Sequence, residues 1–264
     1  MIAGMIARHH CRELRFRRSW TEALRYEVMR LAMLALLAAT AHGQTFEVAS
    51  VKPNTSGAGD GIVRPLPGNE VYVAQNMPLR ILVMVAYSLT DRQLSGGPDW
   101  FAGERWDIRA KADRSYPTET LRVMLQKLIE ERFQLKFRRE LREMPVWELV
   151  VDKGGPKMPK HDPNDIDRGP MRGGPNGRGL SGTNLPMDHF ALSLSRMLDK
   201  NVVNKTGLDG FWDVTLDFVR EQDRDQNGPS IFTAVREQLG LRLVAARGPV
   251  EHMTVLSAER PTAN

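Results

Sequence analysis

The tripeptide Trp106-Asp107-Ile108 returns 106 residues later as Trp212-Asp213-Val214, inside the stretches "RWDIRAKA" and "FWDVTLDF". Both stretches alternate apolar and polar side chains, the period of a half-buried strand. Other landmarks keep nearly the same offset. Leu135 and Leu241 are 106 apart, Asn76 and Asn184 are 108 apart and each is followed by X-Pro, and Pro145 and Pro249 are 104 apart and each is followed by Val. Landmarks that hold register within a few residues imply that one structural unit occurs twice. The expected architecture is therefore α+β, two copies of a β-α-β-α-β-β unit. In such a unit the repeated Trp is a core anchor rather than a ligand platform, because a buried aromatic ring contributes much of the stability of a small domain. Asp107 and Asp213 recur with the unit, which points to a structural role, a cap or a hydrogen bond to the neighbouring turn.

The pattern along the chain fits this division. "FEVASVKP" (46–53) and "EVYVAQ" (70–75) alternate as strands, separated by a long Gly/Pro loop. Asn76 reads as a helix cap with Pro78 in the first turn, followed by an apolar stripe of Leu79, Leu82, Val83 and Ala86. Leu121, Met124, Leu125, Leu128, Ile129 and Phe133 form a second stripe, opposite Arg122, Gln126, Glu130 and Glu131. Residues 135–152 read as two strands around Met144-Pro145. Residues 153–179, dominated by Gly and Pro, read as a mobile linker with almost nothing to pack. The second copy then opens with "GLSGTN", the cap Asn184, a helix with Met187, Phe190, Leu194 and Leu198 on one side, and the strand at Trp212. Ser230 reads as the cap of the helix "IFTAVREQLG", and two strands around Pro249 close the chain. The expected domains are a leader at 1–43, a first α+β repeat at 44–152, the linker at 153–179 and a second repeat at 180–264.

The net charge of +5 belongs mostly to the leader, where seven Arg meet three acids; the remaining residues carry 30 basic and 29 acidic side chains. So balanced a mature chain has no field to gather phosphates, and a nucleic-acid partner is not expected. In the leader, Arg30 precedes an apolar run from Leu31 to Ala41, and small residues at Ala41 and Gly43 suit cleavage before Gln44. Eleven helical residues span about 16 Å, half of the roughly 30 Å of a bilayer core. The run therefore reads as a signal peptide, with no stable membrane insertion after cleavage. The lone cysteine, Cys11, lies in the leader, so the mature chain has no thiol for a disulfide, a metal site or a nucleophile. A periplasmic or secreted protein is expected.

The search for chemistry identifies no catalytic or metal-binding residue. His161 falls in the linker and reads as solvated. His189, beside Asp188, has the makings of a carboxylate-oriented base but reads as a surface helix residue, and His252 reads as a surface residue of the last hairpin. No pair of histidines has metal-ligand spacing. "GLSGT" carries Gly179 and Ser181 but has Thr183 where a nucleophile elbow needs Gly. Asp223, Asp225, Asn227 and Gly228 match the first half of a calcium loop, yet Ala234 stands where the bidentate Glu belongs. Asp99 and Glu104 fall at turns without a sign that they converge. No cofactor is expected, and no binding residues are assigned.

Several stretches together, "FEVASVKPN", "WDIRAKA", "MLQKLIEERFQLKFRRELREMPVWELVV", "NKTGLDGFWDVTLDF", "SIFTAVREQLGLRL" and "ERPTAN", resemble a secreted family of unknown function that is expanded in soil bacteria. Similar domains stand behind BlaR-type membrane metallopeptidase domains. The resemblance covers about residues 45–264. It implies no catalytic residues, and the chain has no H-E-x-x-H of its own. The function expected from all of this is a non-catalytic binding or interaction module for a protein or cell-envelope partner. The alternative is a hydrolase with a site between the repeats.

Overall fold

In the computed structural model, residues 45–57, 59–161, 172–173, 178–219 and 227–262 are described. They form a mixed α+β fold with three sheets and four α-helices. In the first half, strands β1 (Val48–Pro53), β2 (Ile62–Pro65), β3 (Val71–Pro78) and β5 (Arg105–Lys111) pair antiparallel in the order β1-β5-β3-β2. The alternation read in β5 is real: Trp106, Ile108 and Ala110 are buried and Arg109 and Lys111 are exposed. Helices α1 (Leu79–Ala86) and α2 (Thr118–Arg132) lay their apolar stripes over this sheet, with Leu82, Val83, Leu121, Leu125 and Ile129 fully enclosed. Trp106 anchors the same core, with its ring edge-on to Phe133 at 5.1 Å.

The second half follows the same order in shorter form. Strands β7 (Arg172–Gly173), β8 (Leu180–Leu185) and β10 (Trp212–Leu216) form a sheet of order β10-β8-β7. Helix α3 (Met187–Met197) buries Met187, Phe190 and Leu194, and helix α4 (Ile231–Leu239) buries Ala234, Val235 and Leu239. Ser230 caps α4 as expected, its hydroxyl accepting the Thr233 N–H at 3.2 Å. Gly240 ends the helix in the left-handed conformation that favours glycine.

A third sheet joins the halves. The long strands β6 (Lys136–Val151) and β11 (Leu241–Ser257) run antiparallel, in register from Leu241 opposite Val151 to Val255 opposite Phe137, with a shift before Ser257 opposite Lys136. The short strand β4 (Leu94–Gly96), from the first half, pairs parallel with β11, and β9 (Asn201–Asn204), from the second half, pairs parallel with β6. Each half thus lends a strand to the other's long strand. The cores are shared as well: Met253 and Val255 complete the first core, and Leu149 enters the second. A buried hydrogen bond from the Thr90 hydroxyl to Asn201 Oδ1, 2.8 Å, ties the junction.

Several expectations are corrected here. Residues 135–152 and the C-terminal stretch are each one continuous strand. Pro145 and Pro249 interrupt neither, because each stands where its strand has only one neighbour: β9 joins β6 at Val146, and β4 joins β11 at Met253. A proline without an N–H is tolerated at such an open edge. The loop after β1 contains β2, and β4 and β9 also went unread, since strands of three or four residues carry little periodicity. The start of the linker is packed, with Met158 and His161 both buried. Finally, Asn76 and Asn184 do not cap their helices; Pro78 and Pro186 hold the cap positions, with no side-chain cap bond.

Candidate functional site

Asn76 and Asn184 do a different job. Both adopt left-handed backbone conformations, with φ of 55° and 56°, a region in which asparagine is enriched. Each lies at an irregularity in the ladder, β3 against β5 and β8 against β10. The repeated aspartates hold these irregularities. Asp107 Oδ1 accepts the Asn76 N–H at 2.8 Å, and Asp213 Oδ1 accepts the Asn184 N–H at 2.9 Å. The second partner differs: Asn54 Nδ2 donates to both Asp107 oxygens, at 2.8 and 3.0 Å, whereas His161 Nδ1 lies 2.7 Å from Asp213. The aspartates are therefore structural, as their recurrence implied. Asp107→Ala and Asp213→Ala are each expected to cost about 1–3 kcal/mol in a denaturant melt, because each strands a backbone N–H. Asp213→Ala is expected to cost the more, since it also leaves the buried His161 ring without its carboxylate.

A cleft of about 530 Å³ lies between the halves, within the range of small-molecule sites. From the first half, Arg64 enters on β2, Tyr72 on β3, and Glu119 and Arg122 on the first turns of α2. From the second half, α3 supplies His189 and Arg196, and the chain before β10 supplies Phe211. Arg122 is the hub. It donates to Ser88 Oγ at 2.7 Å, lies 3.3 Å from His189 Nε2, and pairs at 3.6 Å with Glu119. His189 Nε2 is also 3.6 Å from Glu119. Arg64 and Arg196 have no acidic partner among the described residues.

The environment favours neutral His189. Burial lowers its proton affinity first, and the Arg122 charge lowers it further, against Glu119 and Asp188. Arg196 is lowered by burial and then by Arg122. Burial pushes the Tyr72 phenol up to about 12, so it stays protonated as a donor. His189 is thus half-buried in a cleft rather than on an open helix surface. The signal for Arg122 was its place on the polar face of α2, which does not distinguish a cleft from solvent.

The remaining candidates are dispersed. His161 is 7% exposed and bound to Asp213, not solvated. His252 is buried as well, opposite Glu140 on β6, with its Nδ1 unpartnered among the described residues. Ser181 sits inside β8, paired with Thr215 and Arg172, not on a sharp turn. Gly179 suits its place for two reasons: its φ is +68°, and a Cβ there would collide with the Leu216 carbonyl. Asp223 and Asp225 lie outside the described residues, and Ala234, the twelfth position of that pattern, is buried in the second core. Among the described residues no three His, Cys, Asp or Glu side chains gather to hold a metal. Glu104 is turned to Arg260, which donates to it from Nε at 2.9 and 3.1 Å and from a second nitrogen at 2.6 Å. That hydrogen bonding holds its carboxyl below the usual range.

His252 gives a second expected result. Burial and then Arg142 lower its pKa, against Glu140, as burial and Arg122 do for His189. Both folded values lie below 6.5, so above that pH neither group contributes a change. As pH falls through 6.5 the unfolded chain takes up protons first and stability drops, until the folded values are reached. Urea melts at pH 7.5 and pH 5.5 are expected to show this loss, and His252→Gln with His189→Gln to reduce it.

The fold and cleft define a mixed α+β protein with an open pocket between two interlocked halves. A family model matches residues 80–258, and the chain belongs to that family, described as Protein of unknown function (DUF3738). The match begins in α1 and runs to the end of β11, so β1, β2 and β3 lie before it. No curated protein matches the chain, and neither does any solved structure.

Proposed function

We propose that the chain is an exported, non-catalytic binding module, active in the periplasm or outside the cell, and that it arose by internal duplication. The cleft lined by both halves carries the binding reading. Its groups suit holding a ligand more than transforming one. The His189 Nε2 faces Arg122 at 3.3 Å, which favours a lone pair engaged by a donor over a free base. The Ser193 hydroxyl, also at the cleft, donates to the His189 carbonyl at 2.9 Å and so is turned from the His189 ring, which weighs against the hydrolase alternative among the described residues.

Duplication is supported by the matched pairs Asn76–Asp107 and Asn184–Asp213 and by the reciprocal loans of β4 and β9. Export is supported by the apolar run before Gln44. The mature chain's charge of +1 argues against nucleic acid. Among the described residues no helix is long and apolar enough to cross a membrane. The partner is then a protein or a component of the cell envelope.

The test is capture from a periplasmic extract on immobilised residues 44–264, with peptidoglycan sacculi as a second bait. A partner retained by the native chain and lost on blocking the cleft with Ser193→Trp supports the reading. Retention of nothing at any ionic strength overturns it.

A further inference from the structure

We infer that the cleft is a site for a small amphipathic anion, a molecule with an apolar body and one or two carboxylate or phosphate groups. The inference rests on the reading of the cleft as a ligand site and adds the class of ligand.

Charge is the first argument. Arg64, Arg122 and Arg196 line one opening, with Glu119 as the carboxylate among the lining residues. Glu119 is half-exposed and 3.6 Å from both Arg122 and His189, too far for a close charge-assisted bond. Two guanidiniums from opposite halves, Arg122 on α2 and Arg196 on α3, are near enough for Arg122 to depress Arg196. Like charges gathered in a partly enclosed space destabilise one another. An oxyanion between them removes that repulsion and accepts the planar N–H fork that guanidinium presents to carboxylate and phosphate.

Shape is the second. Apolar side chains share the lining with the cations: Leu66 and Pro67 from the first half, Pro186, Leu192 and Phe211 from the second. Phe211 is 40% exposed, an aromatic surface that a ligand's body would cover. A free inorganic ion would leave these walls wet, whereas a ligand with an apolar body covers them while its charged end meets the arginines. The Tyr72 phenol, protonated at any physiological pH, adds a neutral donor at the same opening.

The test uses the mature chain, residues 44–264, with three probes of one shape followed by calorimetry and by amide chemical shifts. The probes are 1-naphthoate, 1-naphthyl phosphate and the neutral 1-naphthalenemethanol. Both anions are expected to bind with Kd below ~1 mM and about tenfold or more tighter than the alcohol. The stronger anion identifies carboxylate or phosphate as the preferred head group. Arg64→Gln with Arg196→Gln is expected to weaken the anions about tenfold and leave the alcohol unchanged. These two arginines hold no ion pair among the described residues, so the variant keeps the fold, as its melt would verify. Equal binding of alcohol and anions, unchanged anion binding by the double variant, or no anion binding at all overturns the assignment. Equal binding leaves the cleft a ligand site of another class; loss of the site itself is read from the extract capture.

Discussion

Cut within the 162–171 segment, the two halves of the chain are expected to be unfolded apart and to recover the native fold when mixed. The reason is the exchange of strands. A first fragment ending near residue 166 keeps β4 but loses β11, the strand that β4 pairs with, and with it Met253 and Val255 from its core. It also leaves β6 without its sixteen registered partners. The second fragment loses β6, against which β9 lies, and Leu149 from its core. It loses Met158 and His161 too, so the Asp213 carboxylate faces an empty place. Each deficit exceeds the margin of a small domain, about 5–15 kcal/mol. Far-ultraviolet circular dichroism and amide spectra of each fragment and of the equimolar mixture check this. A fragment that folds alone with native-like amide dispersion would show the halves to be independent domains.

Trp106→Ala is expected to cost about 3–5 kcal/mol, the range for deleting a large buried aromatic, and Trp212→Ala markedly less. The two residues hold matching places, but their surroundings differ. Trp106 is 2% exposed, edge-on to Phe133 at 5.1 Å and near Trp100 at 6.2 Å. Trp212 is only partly buried against the second core, under the bridge that Lys160 makes to its backbone. Its truncation therefore removes less buried area and leaves a site open to water rather than a sealed cavity. Urea midpoints of both variants measure the difference; equal losses would mean that the two positions are packed alike.

Much of the fold was legible because it is local. The stripe from Leu121 to Phe133, the alternation around Trp106 and the Ser230 cap all depend on neighbours within a few residues. The doubling of Asn-X-Pro and Trp-Asp was legible too, and so was the structural role of the aspartates. What escaped is non-local. Nothing in "QLSGG" states that Leu94 will lie beside Met253, and a Pro inside an apolar run reads as a break unless the open edge of its strand is known. His161 looked solvated because its partner, Asp213, is 52 residues away. The cleft escaped for the same reason. Arg64, Arg122 and Arg196 are ordinary polar-face residues in their own elements, and only the meeting of the halves gathers them.

The loan of β4 to β11 also orders events in time. Ser95 lies beside Thr254, 159 positions further along the chain. A ribosome emits residues from the N-terminus, so the first core waits, without Met253 and Val255, until β11 has emerged. Contacts this distant in sequence make for slow closure. The nascent polypeptide is therefore held loose until that strand is made, the state in which a chain following the proposed export route can still be threaded through a translocation channel.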